Sequence, residues 1–252
     1  MINEAKKNIE RSISEGIKTM GFKKKKYFYY KLLKPNIYAT IDVSSFSAFH
    51  EKCRAYSIQI GILYENVEKI AYELTGIDKL ALMKPTMSTD IGYLMPENRF
   101  KRWEFSYEFS NEKEFSEMFK AIETYGNGYW EKYSNSDVFF HAFYIREAGI
   151  QNATRDKYLP ILYYIRGEKE KGLQVIEDAI IRMGTRQTDE EIQKESISGD
   201  AYVIRAGEGK PLTMEEWNKM LKERKNIIIV GSGVGKVSQE YLDFKERYMQ
   251  LE

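Results

Sequence analysis

The sequence predicts an α+β protein: an antiparallel sheet packed by an N-terminal helix, followed by a helical region and a C-terminal strand and helix. Three observations carry this reading. Residues 22–64 alternate with a period of two, the mark of a sheet buried on one side. From Asn111 the apolar residues change to steps of three and four, the spacing of one helix face. Residues 227–230 are an unbroken apolar run that leads through a glycine-rich loop into a last helical pattern. The change at Asn111 divides the chain into an expected sheet domain, residues 1–110, and a mainly helical region with a terminal strand-loop-helix, residues 111–252.

Taken in order, residues 3–20 place Ile2, Ala5, Ile9, Ile13, Ile17 and Met20 on one stripe, and Gly21 supplies a left-handed stop. Three strands follow. Phe28, Tyr30 and Leu32 share one face of the first and are expected to point inward. Ile37, Ala39, Ile41 and Val43 share a face of the second, and Tyr56, Ile58, Ile60, Ile62 and Tyr64 a face of the third. Lys34, Pro35, Asn36 and Ile37 form the first connecting turn, since proline presets φ and asparagine tolerates the left-handed position after it. Residues 67–75 read as a short helix ended by Gly76, and residues 77–98 as irregular, broken by Pro85, Gly92 and Pro96. Trp103, Phe105, Tyr107 and Phe109 alternate as one more strand of the same sheet.

In the second half, Asn111 with Glu114 resembles a capping box before Phe115, Met118, Phe119 and Ile122, and Gly126 with Gly128 is expected to break that helix. Ser136 or Asp137 caps the next helix. Residues 158–166 and 169–183 read as two helices joined around Gly167, with Pro160 in an opening turn. Thr188 with Glu191, and Thr213 with Glu216, form two further capping boxes. Val237, Tyr241, Phe244, Tyr248 and Leu251 line the final helix. No second copy of the 155–183 helix pair recurs at a fixed period, which excludes a repeat array.

Composition bounds the function. With 252 residues and 42% hydrophobic side chains there is material for a sizeable core. A net charge of +1 argues against wholesale attraction to nucleic acid or membrane and leaves local patches open. Cys53 is the single cysteine, so no disulfide forms within the chain. No run approaches the roughly 18 apolar residues of a membrane span, and the segment from Met1 is charged and amphipathic rather than signal-like. The expected location is the cytoplasm, with no membrane partner.

Three motifs bear on chemistry. Gly231, Gly233, Gly235 and Lys236 sit between a strand and a helix, the setting of a phosphate-binding loop. The spacing departs from that motif: three residues separate Gly231 from Gly235, and Val237 stands where serine or threonine would hold magnesium. His50, Glu51 and Cys53 are close in sequence but lack an orienting third group, and His141 reads as a packed histidine among Phe139, Phe140 and Phe143. No metal site, cofactor or catalytic set is expected. Between Gly16 and Ile41 there are seven lysines and no acidic residue. Beside tyrosines, these lysines suit phosphate contact and stacking, but lysines on a sheet edge also guard against aggregation.

Gly21 and Phe22, the lysines after them, Tyr27, Phe28, Tyr29 and Tyr30, and the strand phrase Ser57, Ile58, Gln59, Ile60, Gly61, Ile62 resemble the bacterial domain-of-unknown-function family 4304 over roughly residues 5–75. That family has no established activity. Its members are similar to proteins encoded near toxin and immunity loci, which implies a protein-binding role in conflict or defence. The expectation is therefore a non-enzymatic, cytoplasmic protein-binding module, an immunity- or defence-type inhibitor of another protein. Its contact surface is expected at Lys23, Lys25, Tyr27, Tyr29 and Tyr38, with tyrosine giving large contact area at low entropic cost. The alternative is a nucleic-acid-associated protein using the same lysine- and tyrosine-rich strand, and after it a nucleotide-binding enzyme using the terminal glycine loop.

Overall fold

A computed structural model describes residues 2–48, 50–76, 84–147, 149–184, 201–205, 226–230 and 237–252. The chain forms two compact units, Met1–Ile150 and Gln151–Glu252.

In the first unit, α1 (Ile2–Thr19) buries Ile9, Ile13 and Ile17 of the expected stripe and leaves Ile2 exposed, and Gly21 follows it at φ 88°. The sheet runs β1 (Lys23–Lys25), β2 (Phe28–Lys34), β3 (Ile37–Ser47) and β4 (Cys53–Tyr64), each antiparallel to the one before. The far edge of β4 is shared by two short antiparallel strands, β5 (Met87–Asp90) beside Gln59 to Ile62 and β6 (Trp103–Ser106) beside Cys53 to Tyr56. The expected antiparallel sheet with an N-terminal helix is thus present. Pro35 and Asn36 make the β2–β3 turn, with Asn36 at φ 62°. In this unit two strands escaped the sequence reading: β1, because a lysine run carries no apolar alternation, and β5, inside a stretch read as irregular. The strand expected over 103–109 stops at Ser106, and Phe109 is exposed.

Residues directly opposite on paired strands share a face. One face therefore carries Tyr29, Ala39, Ile41, Ile58, Ile60, Ile62, Trp103 and Phe105, all buried. Three further helices close over this face. α3 (Glu112–Ala121) brings Phe115 to 4.8 Å from Phe105, centroid to centroid. α4 (Asn127–Tyr133) directs the Trp130 indole N–H to the Gly61 carbonyl at 2.9 Å. α5 (Ser136–Tyr144) stacks Phe139 on Tyr64 at 4.1 Å, while the Tyr64 hydroxyl donates to the Tyr133 carbonyl at 2.7 Å. On the chain's path from β4, α2 (Glu65–Thr75) ends at Gly76 with φ 68°. The change of character at Asn111 thus lies inside the first unit, because α3, α4 and α5 need the sheet to bury their aromatic faces.

The capping details differ from expectation. Asn111 does not cap α3. Its amide closes the preceding loop, accepting from Ser106 N–H at 2.7 Å and donating to Ser106 C=O at 2.9 Å. Asn135 rather than Ser136 or Asp137 caps α5, accepting from the Asp137 N–H at 2.9 Å. Gly126 does not break the helix. α3 passes into α4 through a π turn, Ile122–Gly126, and a Cβ on Gly126 would meet the Trp130 ring at 2.9 Å. Glycine there permits the tryptophan to fold back and reach the sheet.

In the second unit, α6 (Asn152–Ile165) and α7 (Lys169–Gly184) form a helical hairpin turned at Gly167, whose φ is 76°. A parallel pair, β7 (Ala201–Arg205) with β8 (Asn226–Val230), and α8 (Gln239–Met249) complete it. β8 and α8 match the expected strand and helix; β7 was not foreseen. α6 starts six residues before the expected Tyr158, so Pro160 lies mid-helix rather than in its first turn. The proline has no N–H for the carbonyl of Asp156, and the Tyr241 hydroxyl donates to that carbonyl instead at 3.1 Å. Both capping boxes at Thr188 and Thr213 lie outside the described residues.

Candidate functional site

The β1–β2 hairpin is built from residue types that rarely close a tight turn. Lys25 pairs with Phe28, so the loop is Lys26 and Tyr27 alone, with Lys26 at φ 57°. A lysine held in the left-handed region costs local strain that glycine would avoid. The turn carries Tyr27 outward at 72% exposure.

The ladder sorts the side chains around it. Lys24 pairs with Tyr29, and Tyr29 with Ile41, so Tyr29 belongs to the core face and is 3% exposed. The Lys24 ammonium lies 5.2 Å from the Tyr29 ring centroid and covers its outer end. Lys23 pairs with Tyr30, Lys25 with Phe28, and Leu32 with Tyr38, which places all six on the opposite, outer face. The expectation that Phe28, Tyr30 and Leu32 point inward is therefore inverted. Phe28, Tyr30 and Tyr38 are half-buried, and Leu32 is 61% exposed. Of the five expected contact residues, Lys23, Lys25, Tyr27 and Tyr38 fall on or beside one surface, and Tyr29 does not. Phe28, Tyr30 and Leu32, taken for core, lie on that surface instead.

The electrostatics of that face follow from partial burial. Burial, reinforced by the neighbouring Tyr72 and Asp42, pushes the Tyr30 phenol up to about 12. Burial also raises the Asp42 carboxyl, although hydrogen bonds from Val43 and Ser44 pull it back. Asp42 stands directly opposite Phe28 in the ladder. Two lysines of the basic stretch are engaged by backbone carbonyls: Lys31 donates to that of Met20 at 3.0 Å, and Lys34 to that of Ser134 at 2.9 Å.

The chain matches no family model, no curated protein and no solved structure.

The remaining motifs give no reactive geometry. His50 is exposed at the β3–β4 turn, where its carbonyl accepts from the Cys53 N–H at 3.0 Å, and Cys53 is half-buried. His141, expected as a packed histidine, is exposed on α5 with its ring 6.2 Å from that of Tyr144. The stripe Phe139, Ala142 and Phe143 faces the core and turns it to solvent. Among the described residues no three His, Cys, Asp or Glu side chains group to hold a metal. Gly231, Gly233, Gly235 and Lys236 lie outside the described residues. A cleft of about 930 Å³ opens between the start of α1 and the 107–108 segment, lined in part by Asn3, Asn8 and Tyr107 and by Lys52 and Glu108, which pair at 2.7 Å. No described helix is long and apolar enough to cross a membrane.

Proposed function

We propose that the protein is a binding module for another protein, and that its contact surface is the outer face of β1, β2 and β3 around the hairpin tip. One observation carries this reading: Tyr27, Phe28, Tyr30, Leu32 and Tyr38 lie along or beside one side of a sheet whose other side carries the buried core, with Lys23 and Lys25 at their rim. Aromatic anchors inside a charged rim are the usual make-up of a protein interface. The supporting sheet is rigid, because Ala39, Ile41, Ile58, Ile60 and Ile62 are wholly buried beneath it. The resemblance of residues 5–75 to the domain-of-unknown-function family 4304, whose members are similar to proteins encoded near toxin and immunity loci, supports an inhibitor of a defence or toxin component as the specific role.

The test is retention of a partner from the native cell, with the product of the adjacent gene as first candidate. The parent chain is expected to retain it, and Tyr27→Ala and Leu32→Ala each to lower affinity without lowering thermal stability. Turnover of a small molecule or cleavage of nucleic acid by the purified chain, with no protein retained, would overturn the proposal.

A further inference from the structure

We infer that the contact surface receives an arginine of the partner protein, seated on the outer face over Asp42 between Phe28 and Gln59; the inference rests on the protein-binding reading above. The ladder sets Phe28 of β2 opposite Asp42 of β3, Asp42 opposite Gln59 of β4, and Gln59 opposite Asp90 of β5. Residues directly opposite share a face and lie within side-chain reach of one another. A row of aromatic ring, carboxyl, amide and second carboxyl therefore crosses the outer face. Its middle is open and its flanks are covered. Gln59 is exposed and Phe28 and Asp42 are half-buried, whereas Thr40 and Ser57, on the same face to either side, are 1% exposed. Pro85 lies over Gly61, where a Cβ would meet it at 2.6 Å.

Neither carboxyl is answered by a cation. Asp42 receives hydrogen bonds from Val43 and Ser44. Oδ1 of Asp90 accepts from the N–H groups of Gly92 at 2.9 Å and Lys101 at 3.1 Å, and Oδ2 is buried without a hydrogen bond. Among the described residues no lysine or arginine side chain pairs with either, although seven lysines stand between Gly16 and Ile41. Lys25, at the β1 end of the row, is engaged, but not by Asp42. Arg102 is held against the Phe46 and Phe100 rings, 5.8 and 5.7 Å from their centroids. Burial accordingly raises both carboxyls. A partly desolvated carboxylate without a counter-charge costs free energy, which a cation brought by a partner offsets.

Arginine is the cation that uses the whole row. Its planar guanidinium has donors for the Asp42 carboxylate and the Gln59 amide oxygen together, and a face to lay on the Phe28 ring. Arginine is also enriched among the residues that anchor protein interfaces. The alternatives fit less well. Lysine offers one compact charge and no plane to stack. Asp42 and Asp90 stand two strand spacings apart, about 10 Å, too far to share a metal ion. A phosphate meets two carboxyls and is repelled.

The probes are N-acetylarginine amide and its lysine, citrulline and glutamate counterparts. Each is titrated into the isotope-labelled full chain and followed by nuclear magnetic resonance. The arginine compound is expected to shift the Gln59 side-chain amide and the Asp42 backbone amide. Citrulline, its uncharged near-isostere, is expected to leave both in place, and lysine to bind more weakly. Asp42→Asn is expected to lower the arginine affinity about tenfold, with melting temperature unchanged, and Phe28→Leu to lower it less. Equal shifts from citrulline, or no shift at Gln59 from arginine, overturn the inference whatever the stability of either variant. So does an affinity indifferent to Asp42→Asn, or tighter binding of the glutamate compound. A native partner released by Tyr27→Ala but not by Asp42→Asn defeats this inference and spares the binding reading; a partner indifferent to Tyr27 and Leu32 defeats the binding reading itself.

Discussion

Tyr27 and Tyr29 are two residues apart and have opposite fates. Both fit a period of two, and nothing in their side chains says which is buried. Their backbone decides: the β2–β3 ladder sets Tyr29 against Ile41, while the two-residue turn throws Tyr27 to the tip. Tyr29→Ala should cost about 3 kcal/mol or more of stability, since it empties a packed aromatic site, with partner binding lost only as folding is lost. Tyr27→Ala should leave the denaturation midpoint in place and weaken partner binding by about 2 kcal/mol if it is an interface anchor. Chemical denaturation run beside a binding titration separates the two variants. Unchanged stability in Tyr29→Ala would contradict the ladder register. At the turn itself, Lys26→Gly should be neutral or slightly stabilising, because it relieves a left-handed lysine while adding backbone entropy to the unfolded chain.

At the scale of elements, several helices depend on partners that lie far along the chain. α1 meets α3 where Gly16 faces the Phe119 ring, so closely that a Cβ would collide with it. Gly16→Val should therefore force the helices apart and destabilise by about 1–3 kcal/mol, measured as a lower midpoint in urea. In the second unit, α6 tolerates Pro160 because Tyr241 of α8 satisfies the carbonyl that proline leaves without a donor. Tyr241→Phe keeps the ring stacked on Phe244, 5.5 Å away, but removes that donor. It should cost about 1–3 kcal/mol, the usual penalty of a polar group left unpaired on burial. The same logic explains the break misread at Gly126 and the position of Pro160, expected in an opening turn. Glycine and proline mark helix ends in isolated chains, yet Gly126 and Pro160 both sit within helices, because Trp130 and Tyr241 each exploit the feature that would otherwise disrupt the helix.

For the whole molecule, the 19 tyrosines of the chain report on burial at high pH. Burial raises the phenols of Tyr30, Tyr56, Tyr64, Tyr129, Tyr241 and Tyr248. A raised acid keeps its proton in the native state after the unfolded chain has released it near pH 10. The unfolded state then binds fewer protons, so stability falls as pH rises; for Tyr30 the loss runs from about 10 to about 12. Tyrosinate absorbance is expected to rise in two stages, the exposed phenols first and the buried ones together on unfolding. A single smooth titration with native circular dichroism throughout would refute this burial pattern. The sequence by itself determined the α+β class, the α1 stripe, the inward faces of β3 and β4, the turn at Asn36 and the terminal strand and helix. In α1, β3, β4 and the last helix one face is apolar and the other polar, so local periodicity leaves a single way to bury the chain. Only the tertiary structure decided which face of β2 is buried, that a lysine run is an edge strand, that α3 to α5 belong to the sheet's unit, and that Phe28, Tyr30 and Leu32 lie on the outer face. These depend on pairing register and on long-range partners: both faces of β2 carry aromatic residues, β1 has no apolar pattern at all, and neither can be assigned until β3 is laid beside them.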